Sequence, residues 1–145
     1  MDFSVHIPFV QMLGFELLAF EAGHAEIALD LREELTNSWS VVHGGVSMTL
    51  LDVVMAHAAR SPRQPGIDQS PGVVTVEMKT TFMRPGLGRL LATGRLVHRT
   101  ASLAFCEGRI DDAQGLVVAQ ASGTFKYLRG LPAGGKRIQR LDASD

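Results

Sequence analysis

Residues 44–60, GGVSMTLLDVVMAHAAR, constrain this chain more than any other stretch. Leu, Met and Ala dominate it, and its length suits a helix rather than a strand. Val46, Met48, Leu50, Leu51, Val53, Val54, Met55, Ala56, Ala58 and Ala59 place apolar side chains on almost every side. A helix of that kind must be covered on most sides. One carboxylate, Asp52, sits in its middle, and a buried carboxylate is costly unless it is paired.

The flanking sequence supplies the cover. In residues 14–31, Ala25, Ile27, Leu29 and Leu31 alternate with His24, Glu26, Ala28 and Asp30. That period of two predicts a strand, and EAGH before it predicts a hairpin turn. A short helix or turn is expected over residues 4–12, with Pro8 near its start, and a loop over 36–43. Strands are expected over 73–83, 88–99, 102–111 and 116–128, separated by the turn signals MRPGLG and DDAQG. Residues 61–72, with three prolines and two glycines, predict a mobile loop, and residues 130–145 a flexible tail after a single domain spanning 1–129. The pattern is α+β: an antiparallel sheet around one long central helix. One curved sheet cannot cover such a helix alone, so a second copy of the chain is the expected supplier.

With 46% hydrophobic and 20% charged residues and a net charge of −1, the chain advertises neither a nucleic-acid nor a bulk membrane partner. No apolar run reaches the roughly 18 residues that span a bilayer. MDFSVHIPFVQMLGF has no basic residue ahead of its apolar part, which argues against a signal peptide. Cys106 is the only cysteine, so no intrachain disulfide can form, and a reducing cytoplasm fits. It shares a strand face with Ala104, Gly108 and Ile110, where it is expected to pack in the core.

Several motifs fail. GGVSMT has Thr49 where a nucleophile elbow needs glycine. GLGRLL lacks the third glycine of a dinucleotide fingerprint. His6, His24, His43, His57 and His98 have no zinc-site spacing, so no metal is expected.

What survives lies on the central helix. Gly44 and Gly45 leave its N-terminus free of side chains, where unpaired N–H groups and a partial positive charge could meet a carbonyl oxygen. The bland alternative is an ordinary capping glycine. Asp52 is either a structural acid bonded to a neighbour such as Thr49, or a general base or nucleophile in a cleft. Eight residues separate Gly44 from Asp52, about 12 Å along a helix. Reacting atoms must come within about 3–3.5 Å. If both serve one reaction, they come from different subunits, giving two identical sites per dimer. Asn37 and His43 flank the loop, and Thr75 follows the mobile loop as a strand residue able to offer a hydroxyl to the helix.

Asn37, the triplet His43-Gly44-Gly45 six residues on, and Asp52 nine residues after His43 resemble the hot-dog-fold acyl-CoA thioesterases of the phenylacetate-degradation (PaaI-like) type. The stretches GVVTVEMKTTFMRPG and GLVVAQASGT are similar to that family's sheet, and the likeness covers roughly residues 8–128. The resemblance implies that the Gly44 N–H, assisted by Asn37, polarises a thioester carbonyl. Asp52 of the partner chain would activate water or act as nucleophile, with Thr75 holding that water. His43 would orient the substrate, and Gly45 would be structural beside it. It further implies no cofactor beyond the coenzyme A of the substrate, and a dimer of dimers.

Arg60, Arg63 and Arg84 are candidates for the coenzyme A phosphates, though each is equally a solvated surface arginine. Met48, Leu51 and Met55 are candidates for an acyl pocket between the helix and its partner. The rival reading is a non-catalytic acyl-CoA-binding module on the same fold.

Overall fold

The computed structural model describes residues 1–63 and 71–128. Most of the loop expected to be mobile, and the expected tail, fall outside those residues.

The elements run α1 (Pro8–Leu13), β1 (Glu16–Glu21), β2 (His24–Asp30), a 3-10 turn (Glu33–Leu35), α2 (Gly44–Arg60), β3 (Val73–Phe82), β4 (Arg89–Arg99), β5 (Leu103–Asp111) and β6 (Val117–Tyr127). The long helix, the hairpin and four later strands stand where the sequence places them. The strands form one antiparallel sheet in the order β1-β2-β4-β5-β6-β3. With α2 laid across it, this is the hot-dog fold.

The sheet's inner face is built for a helix. An added Cβ at Gly94 of β4 would lie 2.4 Å from the Val54 carbonyl oxygen, so the α2 backbone nearly touches the strand. Gly108 of β5 and Gly123 of β6 leave room for the Met55 side chain, at 3.0 and 3.1 Å from the same test atom. Glycine weakens a strand interior, and close approach of another backbone is a recognised reason to find it there. Around these glycines pack Leu17, Ile27, Leu29, Leu50, Leu51, Val54, Met55, Leu90, Ile110 and Phe125, all buried. Cys106 is buried with them, as expected, and burial pushes its thiol up to about 12.

α2 does not bury every side. Gly45, Met48, Thr49, Asp52, Val53 and Ala56 follow helical spacing along one stripe, and none of them is fully buried. Beside that stripe runs β3, among the described residues a sheet edge bonded only to β6, with Val74, Val76 and Phe82 exposed.

Residues 1–13 lie against the other flank of α2. The Met1 ammonium donates to the Leu17 carbonyl, and the Phe3 ring meets His57 edge-on. Pro8 opens α1, where its missing N–H costs nothing. Gly14 closes it in the left-handed region at φ 77°. The Arg32 guanidinium donates to the Met12 and Leu13 carbonyls, both at 2.8 Å, capping the helix end.

Candidate active site

His43 begins α2. Its backbone is extended, and its ring Nδ1 accepts the Gly45 N–H at 2.8 Å. Nδ1 can accept only when it carries no proton, so the capping tautomer is neutral with its hydrogen on Nε2. That hydrogen remains available to a ligand. The cap also explains Gly45, because a Cβ there would sit 3.1 Å from the ring nitrogen. The Gly45 N–H, expected to be open to a ligand, is therefore already engaged.

Gly44 is different. Its N–H has no acceptor among the described residues. A Cβ there would meet only the Phe82 ring, at an ordinary 3.5 Å. Nothing among the described residues requires glycine at 44.

Asn37 shapes the preceding loop. Its Oδ1 accepts the Trp39 N–H at 2.9 Å, and its backbone N–H donates to the Val41 carbonyl. With the acceptor end so used, the side-chain NH2 is left without an acceptor among the described residues. A Thr36–Val42 bridge and the His43 N–H to the Leu35 carbonyl bring this loop back to the helix start.

Two turns along α2, Thr75 Oγ1 donates to Asp52 Oδ1 at 2.6 Å. This contact depends on a bulge. β3 pairs Thr75 with Phe125 but Glu77 with Thr124, so Val76 is an extra residue. In a regular strand Thr75 and Met78, three apart, would point to opposite faces. The bulge turns both toward α2. They line a groove of about 470 Å3 together with Ile7, Phe9 and Val10 of the α1 region and Met48, Thr49, Asp52 and Val53 of α2. Thr49 is not the partner of Asp52, because its hydroxyl donates to the Gly45 carbonyl at 2.8 Å.

A larger trough of about 720 Å3 lies on the opposite face of the sheet, lined by His24, Lys79, Arg95, Glu107 and Arg109. Arg95 and Glu107 pair there at 2.6 Å. The trough is away from Asp52 and Gly44 and carries no comparable arrangement.

The structure thus brings Asp52, Thr75 and Met48 to one groove, and leaves Asn37, His43 and Gly44 two helical turns away. Three pocket and anion candidates are corrected. Leu51 and Met55 are wholly buried toward the sheet, Met55 over Gly108 and Gly123, so neither lines the groove. Arg60 is only 8% exposed, lies over the Phe20 ring and donates to Ser4 Oγ, so it is not a surface cation. Arg63 and Arg84 are exposed, but Arg63 follows the last residues of α2, while Arg84 follows Phe82 of β3, whose ring lies beside Gly44 at the other end of that helix. The sequence reasoning missed Ile7, Phe9, Val10 and Met78. The apolar run IPFVQML could have flagged α1, but nothing local announces the bulge that turns Met78 inward.

No group of three or more His, Cys, Asp or Glu side chains among the described residues could hold a metal ion. Nor is any helix among them long and apolar enough to cross a membrane.

Residues 40–119 match the Thioesterase superfamily. Among curated proteins, the chain is similar to the medium/long-chain acyl-CoA thioesterase YigI of Salmonella typhimurium, 27% identical over 135 residues, 85% of this chain and 87% of that one. Among solved structures, S. sahachiroi AziG superposes with a TM-score of 0.74 at 30% identity, over 84% of this chain and 97% of its own. The E. coli PaaI protein from the phenylacetic acid degradation operon superposes with a TM-score of 0.76 at 22% identity, over 84% of this chain and 85% of its own. At that identity the likeness to PaaI is one of fold.

Proposed function

The chain belongs to the thioesterase superfamily and is a thioester hydrolase, and from that premise we propose that it cleaves acyl-CoA at a site shared between two copies of the chain. The observation that carries this reading is the 2.6 Å Thr75–Asp52 hydrogen bond at the edge of an open groove, about 12 Å along α2 from the free Gly44 N–H. Asp52 and Gly44 of one chain cannot reach the same carbonyl. A second copy packed on the uncovered stripe and the β3 edge brings a Gly44 toward each Asp52. The exposed Val74 and Val76, with the unpaired edge backbone between Val73 and Phe82, support such packing.

In this site the Gly44 N–H and the helix dipole stabilise the oxyanion that forms on the thioester carbonyl. The Asn37 amide NH2 assists. That no described residue requires glycine at 44 fits a backbone that a substrate must approach. Thr75 fixes the rotation of the Asp52 carboxylate, leaving Oδ2 to accept a proton from the attacking water. His43 Nε2–H donates toward the thioester, and the cap on Nδ1 keeps it in that tautomer. A thiol of pKa about 8.5 leaves readily, so a polarised carbonyl and one activated water suffice. The reaction draws on no metal and no cofactor beyond the coenzyme A of the substrate. A dimer of dimers of PaaI-like type, working in the cytoplasm, is the assembly and setting we assign.

The test is release of thiol from a panel of acyl-CoAs. Wild type should cleave at least one member, and Asp52→Asn should lose about 10²–10⁴ in kcat. Mixing Asp52→Asn chains with Gly44→Pro chains should regenerate activity in heterodimers, each of which holds one intact site. No recovery in well-folded heterodimers would refute the shared site. Undiminished turnover by Asp52→Asn would refute its catalytic role.

A further inference from the structure

The groove beside Asp52 has a composition that the hydrolytic chemistry does not require. Six of its lining residues are apolar: Ile7, Phe9, Val10, Met48, Val53 and Met78. Its two hydroxyls are already engaged. The Thr49 hydroxyl donates to the Gly45 carbonyl, and the Thr75 hydroxyl donates to Asp52. No cation lines it among the described residues. Its volume of about 470 Å3 lies toward the lower end of the usual range for small-ligand pockets, suiting an acyl group rather than a whole coenzyme A ester.

One wall comes from outside the sheet-and-helix core. Residues 7–10 reach the groove because residues 1–13 are held along their length. Met1 bonds Leu17, Phe3 packs on His57, Ser4 accepts from Arg60, Val10 and Leu13 enter the core, and Arg32 caps α1. Val10 is thereby fixed inside, while Phe9 stands at the rim, half exposed. An aromatic ring held at the mouth of an apolar groove, on an anchored helix, has no partner among the described core residues to explain it.

We propose that α1 is the acyl-recognition wall of this site, with Phe9 its specificity-determining residue, and that the groove takes an unsubstituted hydrocarbon acyl chain or ring. This rests on the thioester-hydrolase reading above and adds the chemistry of the acyl group. The groove lines an acyl terminus with six apolar side chains. It offers a terminal carboxylate no cation and the facing charge of Asp52. A carboxylate left unpaired there should weaken binding by at least about 100-fold. Each buried methylene should strengthen it roughly fourfold until the wall is met.

The experiment uses non-hydrolysable S-alkyl-CoA thioethers and calorimetric binding to the full chain. Affinity should rise from S-ethyl through S-butyl to S-hexyl-CoA, and S-(5-carboxypentyl)-CoA should bind at least 100-fold more weakly than S-hexyl-CoA. Phe9→Ala should lower the hexyl-to-ethyl affinity ratio at least fivefold, and Phe9→Leu should restore most of it. Affinity independent of chain length, as when a second copy fills the groove, overturns the proposal. So does a carboxyalkyl thioether bound as tightly as the alkyl one. A ratio unmoved by Phe9→Ala, or an equal loss for ethyl and hexyl, removes Phe9 and α1 from recognition. Since binding needs no turnover, a groove that grips alkyl chains in a protein that cleaves no acyl-CoA refutes the hydrolase reading and leaves the wall standing.

Discussion

Gly94→Ala tests the contact on which the fold rests. The added methyl carbon would lie 2.4 Å from the Val54 carbonyl oxygen, whereas ordinary contact begins at 3.4 Å. Strand and helix must therefore part by about 1 Å. The obstacle is backbone in the middle of a 17-residue helix, which cannot rotate away as a side chain does. Overpacking of this kind costs about 1–3 kcal/mol, and a backbone clash belongs at the upper end. Replacing glycine also restricts the unfolded chain, which returns about 0.4–1 kcal/mol. The net loss is about 2 kcal/mol, or roughly 6–8 °C in Tm for a chain of this size. Asp52 lies two residues from Val54, so the same shift disturbs its bond to Thr75. A misplacement of about 1 Å at a reacting group can cost on the order of 100-fold in rate. Thermal melts and acyl-CoA turnover measure the two effects. Gly108→Ala is the control: it meets side-chain rather than backbone atoms, Met55 Cγ at 3.0 Å and Leu51 Cδ2 at 3.1 Å, and should cost less. If Gly94→Ala melts within 1 °C of wild type, or Gly108→Ala proves the more damaging, the argument from close approach is wrong.

Thr75→Val removes the donor that orients the Asp52 carboxylate, and since misplacing a reacting group can cost on the order of 100-fold in rate, kcat should fall by up to about that much. Thr75 is exposed, so its Tm should barely move, and a fall of both together would mark a structural role instead. His57 is buried between Phe3 and Phe20, and desolvation lowers it from 6.5 to about 4 despite its bond to the Val53 carbonyl. The unfolded chain therefore binds the proton more readily, so this contribution is complete above pH 6.5 and disappears as pH falls toward 4. It amounts to about 3 kcal/mol. Denaturant midpoints followed from pH 7 to 4 should show the decline, and His57→Phe should flatten it. Cys106, buried with its thiol near 12, should not react with a thiol-detecting reagent until the protein unfolds. Labelling of the native chain would contradict its burial.

The relation between sequence and structure is clearest on α2. Its bounds, its apolar character and the Gly44–Asp52 separation were legible because helix propensity and rise per residue are local properties. The hairpin over residues 14–31 was legible for the same reason, from its period of two. Which side of α2 meets what was not legible. Met48 and Met55 are seven residues apart, nearly in line on a helix, and as a sequence pattern they are equivalent. Gly108 and Gly123, brought together only by the β5–β6 pairing, open a space that receives Met55. Met48, two turns earlier, stays at the groove. Similarly, TVEM gives no sign that Val76 is an extra residue, since a bulge exists only relative to the partner strand. That bulge decides that Thr75 reaches Asp52 and that Met78 shares its groove. The sequence by itself determined the elements and the chemistry each carries. The tertiary structure decided which of those chemical groups meet, because strand register and close glycine contacts are set by residues far apart in the chain.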